Sequence, residues 1–191
     1  AGWAPAGGSH TVTLLFALAA VLLFLVGLAL SAFFSGAETG FYRISYVRLS
    51  IDAQAGDRIA KRLQWFVHNP GHFVATTLVG NNVANYLTTI AIGMGLAVLS
   101  HDRSQPLHWF WQIAATLLLA PVVFLFGELM PKSRYYRAPM RLLKGRLRTF
   151  EIFYRLFWVI SLPLIGVTRI LEKFGDPDRR EMATVLGRHR L

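Results

Sequence analysis

The chain has 191 residues, 54% of them hydrophobic, and a formal net charge of +10. Its mean hydropathy is +0.43, and it contains three uncharged runs, at residues 11–37, 73–100 and 109–127. A helix that spans a bilayer needs about 20 apolar residues, so all three runs are long enough. Helices satisfy their own backbone groups in lipid, so the sequence predicts an all-α integral membrane protein with three transmembrane helices.

The basic residues are spread unevenly around these runs. Five lie between the first two runs and seven lie between residues 132 and 148, but only Arg103 lies between the second and third runs. The positive-inside rule therefore predicts an inner-membrane protein with its N-terminus outside and its C-terminus in the cytoplasm. We expect membrane lipid, and no nucleic acid, as the partner of these basic residues.

Two spans and a helical hairpin between them are predicted before the third span. The first span covers about residues 11–37. Residues 42–68 have apolar and charged positions at helical spacing, and they predict a cytosolic helical hairpin that turns at Gly56 and Asp57. Asn69 as an N-cap and Pro70 as the first helical residue predict the start of the helix that forms the second span, at about 73–100.

The third span is predicted at about residues 109–130, and it begins with an aromatic cluster typical of the membrane interface. Residues 141–191 are predicted to form a basic juxtamembrane helical region. Within it, residues 156–168 are apolar but too few to span, and Pro163 interrupts them. We expect an amphipathic helix along the inner membrane surface, with a fourth, shortened span as the alternative.

Three polar clusters lie within or beside the predicted spans, where polar groups are costly and tend to be functional. The first is "SAFFSGAETGF" (31–41), in which Ser31, Ser35 and Glu38 form one helical stripe at i, i+4 and i+7. Gly36 and Gly40 add a spacing that permits close helix approach. The alternative is that both hydroxyls bond to carbonyls of their own helix and Glu38 reaches the cytosol.

The second cluster is "LVGNNVANYL" (78–87). Asn81 and Asn85 share a helical stripe, Asn82 lies beside them, and Gly80 weakens the helix. Their amide oxygens are neutral, hard acceptors, and a locally opened helix would add backbone carbonyls. The alternative is that these amides join helices by hydrogen bonds, each contributing about 0.6 kcal/mol.

The third cluster is "FGELMPK" (126–132). Pro131 has no N–H and clashes with the carbonyl four residues earlier, which frees the Gly127 carbonyl next to the Glu128 carboxylate. Together these groups would supply two oxygen ligands. The alternative is a plain i, i+4 ion pair between Glu128 and Lys132.

The three clusters together predict a cation site. They offer hydroxyls, amide oxygens, a freed carbonyl and one or two carboxylates, and hard oxygen ligands select Mg²⁺, Ca²⁺ or alkali ions over zinc or copper. Few carboxylates favour binding weak enough for release, as transport requires. An intramembrane serine hydrolase would need a base, and no histidine or lysine lies within the spans, so we expect no enzyme.

These motifs resemble the membrane domain of the CNNM/CorC family of magnesium transporters. The matching segments are "FFSGAETGF", "RLSIDAQAGDRIAKRL", "NPGHFVATTLVGNNVANYL" and "FGELMPKS", in that order and spacing. The segment "PKSRYYRAP" departs from the family, which tends to place small apolar residues after Pro-Lys.

The resemblance implies that residues 1–140 form a transmembrane ion-transport domain, a homodimer that exports Mg²⁺ in exchange for Na⁺. It implies a mid-membrane ion site formed by Ser31, Ser35, Gly80, Asn81, Asn85, Gly127 and Glu128. Glu38 lies two turns beyond Ser31 toward the cytosol, so we expect it at the inner mouth as a gate or packing partner rather than a direct ligand. A Mg²⁺-sensing membrane scaffold that does not transport is the alternative. Family members usually continue into cytosolic CBS domains, and the residues after Leu171 are too few to form them, so we expect a piece of a longer protein.

Overall fold

The computed structural model describes residues 7–99 and 108–175, and every element in these ranges is helical. This confirms the predicted all-α class. The elements are α1 (Gly7–Tyr42), α2 (Tyr46–Gln54), α3 (Arg58–His68), α4 (Pro70–Leu99), α5 (His108–Phe124), a π-helical turn (Leu125–Leu129), α6 (Met130–Arg137) and α7 (Pro139–Gly175).

Two helical segments of the described ranges are long and apolar enough to cross a membrane, Thr11–Tyr42 and Ile113–Arg137. Only 11% and 6% of their most apolar stretches are buried, unlike the core helices of soluble proteins. Their apolar side chains therefore need lipid or another protein chain as surroundings. These segments support a membrane protein.

The second predicted span corresponds to α4, which has 30 residues and is about 45 Å long, more than the hydrocarbon core requires. It contains no charged residue, but three asparagines and four threonines lower its hydropathy below that of the other two segments. The count of three spans therefore stays a prediction.

A helical hairpin of α2 and α3 follows α1. Gly56 has a φ of +96°, a left-handed conformation that glycine adopts without strain, and it ends α2 as predicted. The Asp57 side chain then caps α3, accepting hydrogen bonds from the backbone N–H groups of Ile59 at 2.8 Å and Ala60 at 3.2 Å.

Asn69 was predicted to cap α4, but its side-chain amide donates to the Trp65 carbonyl at 2.9 Å, at the end of α3. Pro70 is the first residue of α4, as predicted. The predicted break at Pro163 is wrong, because α7 runs continuously from Pro139 to Gly175. Residues 176–191 of the predicted juxtamembrane region lie outside the described residues, as does the 101–107 loop.

The core lies where α1, α3, α4 and α7 meet, and it is mainly aromatic. Phe73 of α4 stacks between Phe41 of α1 and Phe150 of α7, with ring centroids 4.1 and 4.2 Å away. Phe66 of α3 meets Phe73 and Phe150 edge-on. This cluster fixes the hairpin and α7 against the ends of α1 and α4 that carry the polar motifs.

Gly36 and Gly40 bring α6 close to α1 within the same chain. A Cβ at Gly36 would lie 2.6 Å from the Tyr135 ring, and one at Gly40 would lie 2.7 Å from it. Small residues on one face of a helix allow such close approach. The predicted role in helix approach is confirmed, but the partner is Tyr135 of α6, so this face does not support a contact between two copies.

Candidate ion-binding site

Ser31 is the centre of the polar cluster, because its hydroxyl contacts both of the other motifs. It lies on α1 with 1% of its surface exposed. Ser31 Oγ lies 3.4 Å from Asn81 Oδ1 on α4 and 3.5 Å from the Gly127 carbonyl oxygen in the π-helical turn. The hydroxyl has one proton, so it can donate to only one of these two acceptors at a time.

The π-helical turn brings the Gly127 carbonyl to Ser31. Pro131 has no N–H to offer Gly127, four residues earlier, and the Met130 N–H bonds instead to the carbonyl of Leu125, five residues earlier. Gly127 is buried, and a Cβ there would lie 3.2 Å from Ser31 Oγ. A glycine at this position therefore lets the backbone approach the serine.

Ser35, one turn after Ser31, is 2% exposed. Its hydroxyl is buried without a hydrogen-bond partner among the described residues. The alternative considered from sequence, a bond back to a carbonyl of its own helix, is therefore not formed by Ser35. An unsatisfied hydroxyl at this depth costs about 1–3 kcal/mol, so a missing ligand is a physical explanation for its retention.

The three predicted residues of α4 occupy different surroundings. Asn81 is half-buried and contacts Ser31, whereas Asn85 is exposed and makes no described side-chain contact with the other six residues. Gly80 packs against Phe34, because a Cβ there would lie 2.4 Å from the Phe34 ring. The structure thus brings together Ser31, Asn81 and Gly127, and it shows a packing function for Gly80.

Glu128 lies beside this cluster and pairs with Lys132. The Lys132 Nζ and Glu128 Oε2 atoms are 3.8 Å apart, and 31% of the Glu128 side chain is exposed. This is the i, i+4 ion pair considered as the alternative from sequence. At this length and exposure it is a weak contact, so the carboxylate remains available to a cation. Glu38 is half-buried on α1, beyond Ser35.

The donors near Ser31 are mostly neutral. Among the described residues, no group of three or more His, Cys, Asp or Glu side chains could hold a metal ion. Neighbouring ligands of an octahedral Mg²⁺ at about 2.1 Å lie about 3.0 Å apart. The oxygen separations of 3.4 and 3.5 Å are slightly wider, so direct Mg²⁺ ligation would require the helices to close by a few tenths of an ångström.

Sequence reasoning missed one charged contact that holds the surrounding helices. Lys144 of α7 forms ion pairs with Asp52 and Asp57 of the hairpin, the latter at 2.9 Å. The hydrogen bond from Lys144 is the main cause of a lowered Asp57 pKa. Burial alone lowers the pKa of Lys144, but its bonds to the two carboxylates outweigh burial and raise it. The sequence did contain a signal for this contact: residues 132–148 are basic and include no acidic residue with which Lys144 could pair.

The fold and the cluster define a helical membrane protein with convergent oxygen donors inside its helix bundle. Residues 20–185 match the family model of the Cyclin M transmembrane N-terminal domain, CNNM. The chain therefore belongs to the CNNM family, which confirms the resemblance found in its motifs.

Two bacterial relatives agree with this placement. The chain is 26% identical over 177 residues to the UPF0053 inner membrane protein YfjD of Escherichia coli, covering 82% of this chain and 37% of the relative. It is 27% identical over 146 residues to a UPF0053 protein of Haemophilus influenzae, covering 74% of this chain and 33% of the relative. The chain spans about a third of the length of these curated relatives.

Proposed function

We propose that this domain transports Mg²⁺ across the inner membrane, and that the ion passes the Ser31 cluster. The observation that carries the proposal is the convergence of Ser31, Asn81 and Gly127 from three separate segments. Oxygen donors of this kind, with few charges, suit a hard cation that must also leave the site. Membership of the CNNM family supports the same substrate class.

The seven predicted residues would have separate tasks at this site. Ser31 Oγ, Asn81 Oδ1 and the Gly127 carbonyl would contact the ion or its water shell. Ser35 Oγ, which has no described partner, would turn toward the ion when the site closes. Gly80 would permit the packing of α4 on α1. Asn85, one turn beyond Asn81 on the exposed face of α4, would line the path only where a second copy covers it.

Glu128 would supply the negative charge that neutral ligands lack. It is held only loosely by Lys132 at 3.8 Å, so an arriving cation could replace that ammonium. The carboxylate would raise the local concentration of cations at the entrance. We propose outward Mg²⁺ movement with Na⁺ as the exchanged ion, on the basis of the family resemblance alone.

We also propose that two copies assemble in the membrane, with the N-terminus outside and the C-terminus in the cytoplasm. The exposed face of α4 carries Asn82, Asn85 and Thr89, and polar side chains facing lipid are costly. Gly93 and Gly95, farther along α4, have open space at their Cβ positions. A second copy on this face would cover the amides, and light scattering in detergent showing only monomers would contradict it.

The competing proposal is a membrane scaffold that senses Mg²⁺ without moving it. Flux measurements in proteoliposomes separate the two functions. We expect purified protein to carry Mg²⁺ down an imposed gradient, read with an enclosed Mg²⁺ dye, at a rate above protein-free liposomes. Thermal stabilisation by Mg²⁺ without any flux, with the gradient imposed in either direction and with Na⁺ present, would favour the scaffold.

A further inference from the structure

A cavity of about 440 Å³ lies between α1, α6 and α7. It does not include the Ser31 cluster. Ala29 and Ala32 of α1, Phe126 of the π-helical turn and Leu142 of α7 line its apolar part. Phe126 is 49% exposed and lies in Ile113–Arg137, a segment long and apolar enough to cross a membrane. The apolar part of the cavity therefore continues onto a surface suited to lipid.

The other part of the cavity is strongly basic. Arg134 of α6 and Arg146 of α7 line it, and neither forms an ion pair with a carboxylate among the described residues. Three other basic residues near this end of the bundle have partners: Lys132 pairs with Glu128, Lys144 pairs with two aspartates, and Arg43 stacks on the Tyr136 ring at 3.7 Å. The charges of the two cavity arginines are thus not neutralised by a described carboxylate.

An unsatisfied hydroxyl lies at the same place. Tyr135 lines the cavity, is 3% exposed, and its hydroxyl is buried without a hydrogen-bond partner among the described residues. The Arg146 guanidinium lies within reach of a hydrogen bond to this phenol, but it does not have the geometry of a formed bond. A buried polar group without a partner requires a physical explanation, and a ligand that accepts a hydrogen bond would supply one.

We propose that this cavity binds one anionic phospholipid. The headgroup phosphate would accept hydrogen bonds from both guanidiniums and from the Tyr135 hydroxyl, because arginine forks match phosphate geometry. The acyl chains would lie along Ala29, Ala32 and Phe126. A free phosphate would use only the basic end, whereas a lipid uses both ends of the cavity, and basic pockets between helices commonly hold lipid headgroups. This inference is independent of the transported ion.

Native mass spectrometry of the purified protein in detergent tests the proposal, with added phosphatidylglycerol or phosphatidylcholine. We expect one phosphatidylglycerol per chain, held about tenfold more tightly than phosphatidylcholine. The double variant Arg134→Gln/Arg146→Gln should lose that preference. The matched control is Arg137→Gln/Arg148→Gln, which removes the same charge from two exposed arginines that do not line the cavity, and it should keep the preference.

Three results would overturn the proposal. Equal loss in both double variants would assign the effect to general surface charge. Equal binding of the two lipids would remove the role of the headgroup charge. Displacement of phosphatidylglycerol by inorganic phosphate at the same concentration would assign the site to a free anion. If the double variant does not fold, Tyr135→Phe decides, because an unchanged lipid preference there contradicts the predicted hydrogen bond.

Discussion

Ser31 Oγ lies 3.5 Å from the carbonyl oxygen of Gly127, a residue 96 positions later in the chain. The contact joins the polar end of α1 to the π-helical turn, and the same hydroxyl reaches Asn81 of α4. The contacts of the Ser31 side chain therefore depend on the relative positions of three segments. A cation that replaced the single shared proton could draw all three oxygens toward itself.

The unsatisfied hydroxyl of Ser35 predicts opposite effects on stability and on transport. Ser35→Ala removes a buried hydroxyl without a described partner, so we expect the melting temperature to stay the same or rise. If Ser35 is a ligand, Mg²⁺ flux should fall about tenfold, since a lost ligand of this kind costs 1–3 kcal/mol. Thermal unfolding in detergent and flux in proteoliposomes measure the two effects, and a parallel loss of both would indicate a structural role.

Glu128 and Lys132 should have opposite effects on apparent Mg²⁺ affinity. Glu128→Gln removes the carboxylate, so the Mg²⁺ concentration for half-maximal flux should rise. Lys132→Met removes the competing ammonium 3.8 Å away, so that concentration should fall. Flux titrations of both variants make the comparison, and equal effects of the same sign would show that only the ion pair matters.

The packing of Gly80 on Phe34 predicts a steric penalty. Gly80→Ala places a Cβ 2.4 Å from a ring that is only 1% exposed, so we expect a loss of about 1–3 kcal/mol in unfolding free energy. Gly145→Ala is the matched control, because nothing lies within 4 Å of its Cβ position on α7. It should be neutral or stabilising by up to about 1 kcal/mol. Equal melting temperatures for the two variants would contradict the predicted packing.

The ion pairs of Lys144 with Asp52 and Asp57 predict that the stability of the protein depends on pH. The Asp57 pKa lies below its ordinary value of 3.8, so its contribution is complete above that value and is lost as pH falls through the native pKa. The Lys144 pKa lies above 10.5, so its contribution is complete below 10.5 and is lost as pH rises further. We therefore expect Lys144→Met to lower the melting temperature most between about pH 5 and 9.

Lys61→Met is the control for that series, because Lys61 is exposed on α3 and forms no described ion pair. Its melting temperature should follow the wild type from pH 3 to pH 9, on the order of a degree apart, as for most isolated surface charges. A deficit in Lys144→Met that does not shrink below about pH 4 would show that the ion pairs are not its cause.

The sequence was sufficient for local features and for the polar stripes. Helical spacing placed Ser31 with Ser35, and the Gly56–Asp57 turn followed from backbone preferences of single residues. Pairings between helices were not predictable in the same way. Nothing local indicates that Gly36 and Gly40 receive Tyr135, or that Gly80 receives Phe34, because several helices offer aromatic rings of suitable size.

Two further differences concern residues that commonly mark the ends of helices. Asn69 has the residue type of a helix N-cap, but its amide donates back to Trp65. Pro163 could end a helix, yet α7 continues through it. The sequence indicated a freed carbonyl at Gly127, but only the fold determines that Ser31 is the hydroxyl that meets it.

Mg²⁺ flux through Asn81→Ala and Asn82→Ala proteoliposomes tests the central claim most directly. The two residues are neighbours of the same type, but only Asn81 contacts Ser31, while Asn82 is exposed. With equal reconstitution and equal thermal stability, we predict that Asn81→Ala lowers Mg²⁺ flux about tenfold or more and that Asn82→Ala retains most of it. Wild-type flux in a correctly folded Asn81→Ala variant would contradict the assignment of the Ser31 cluster as the ion site.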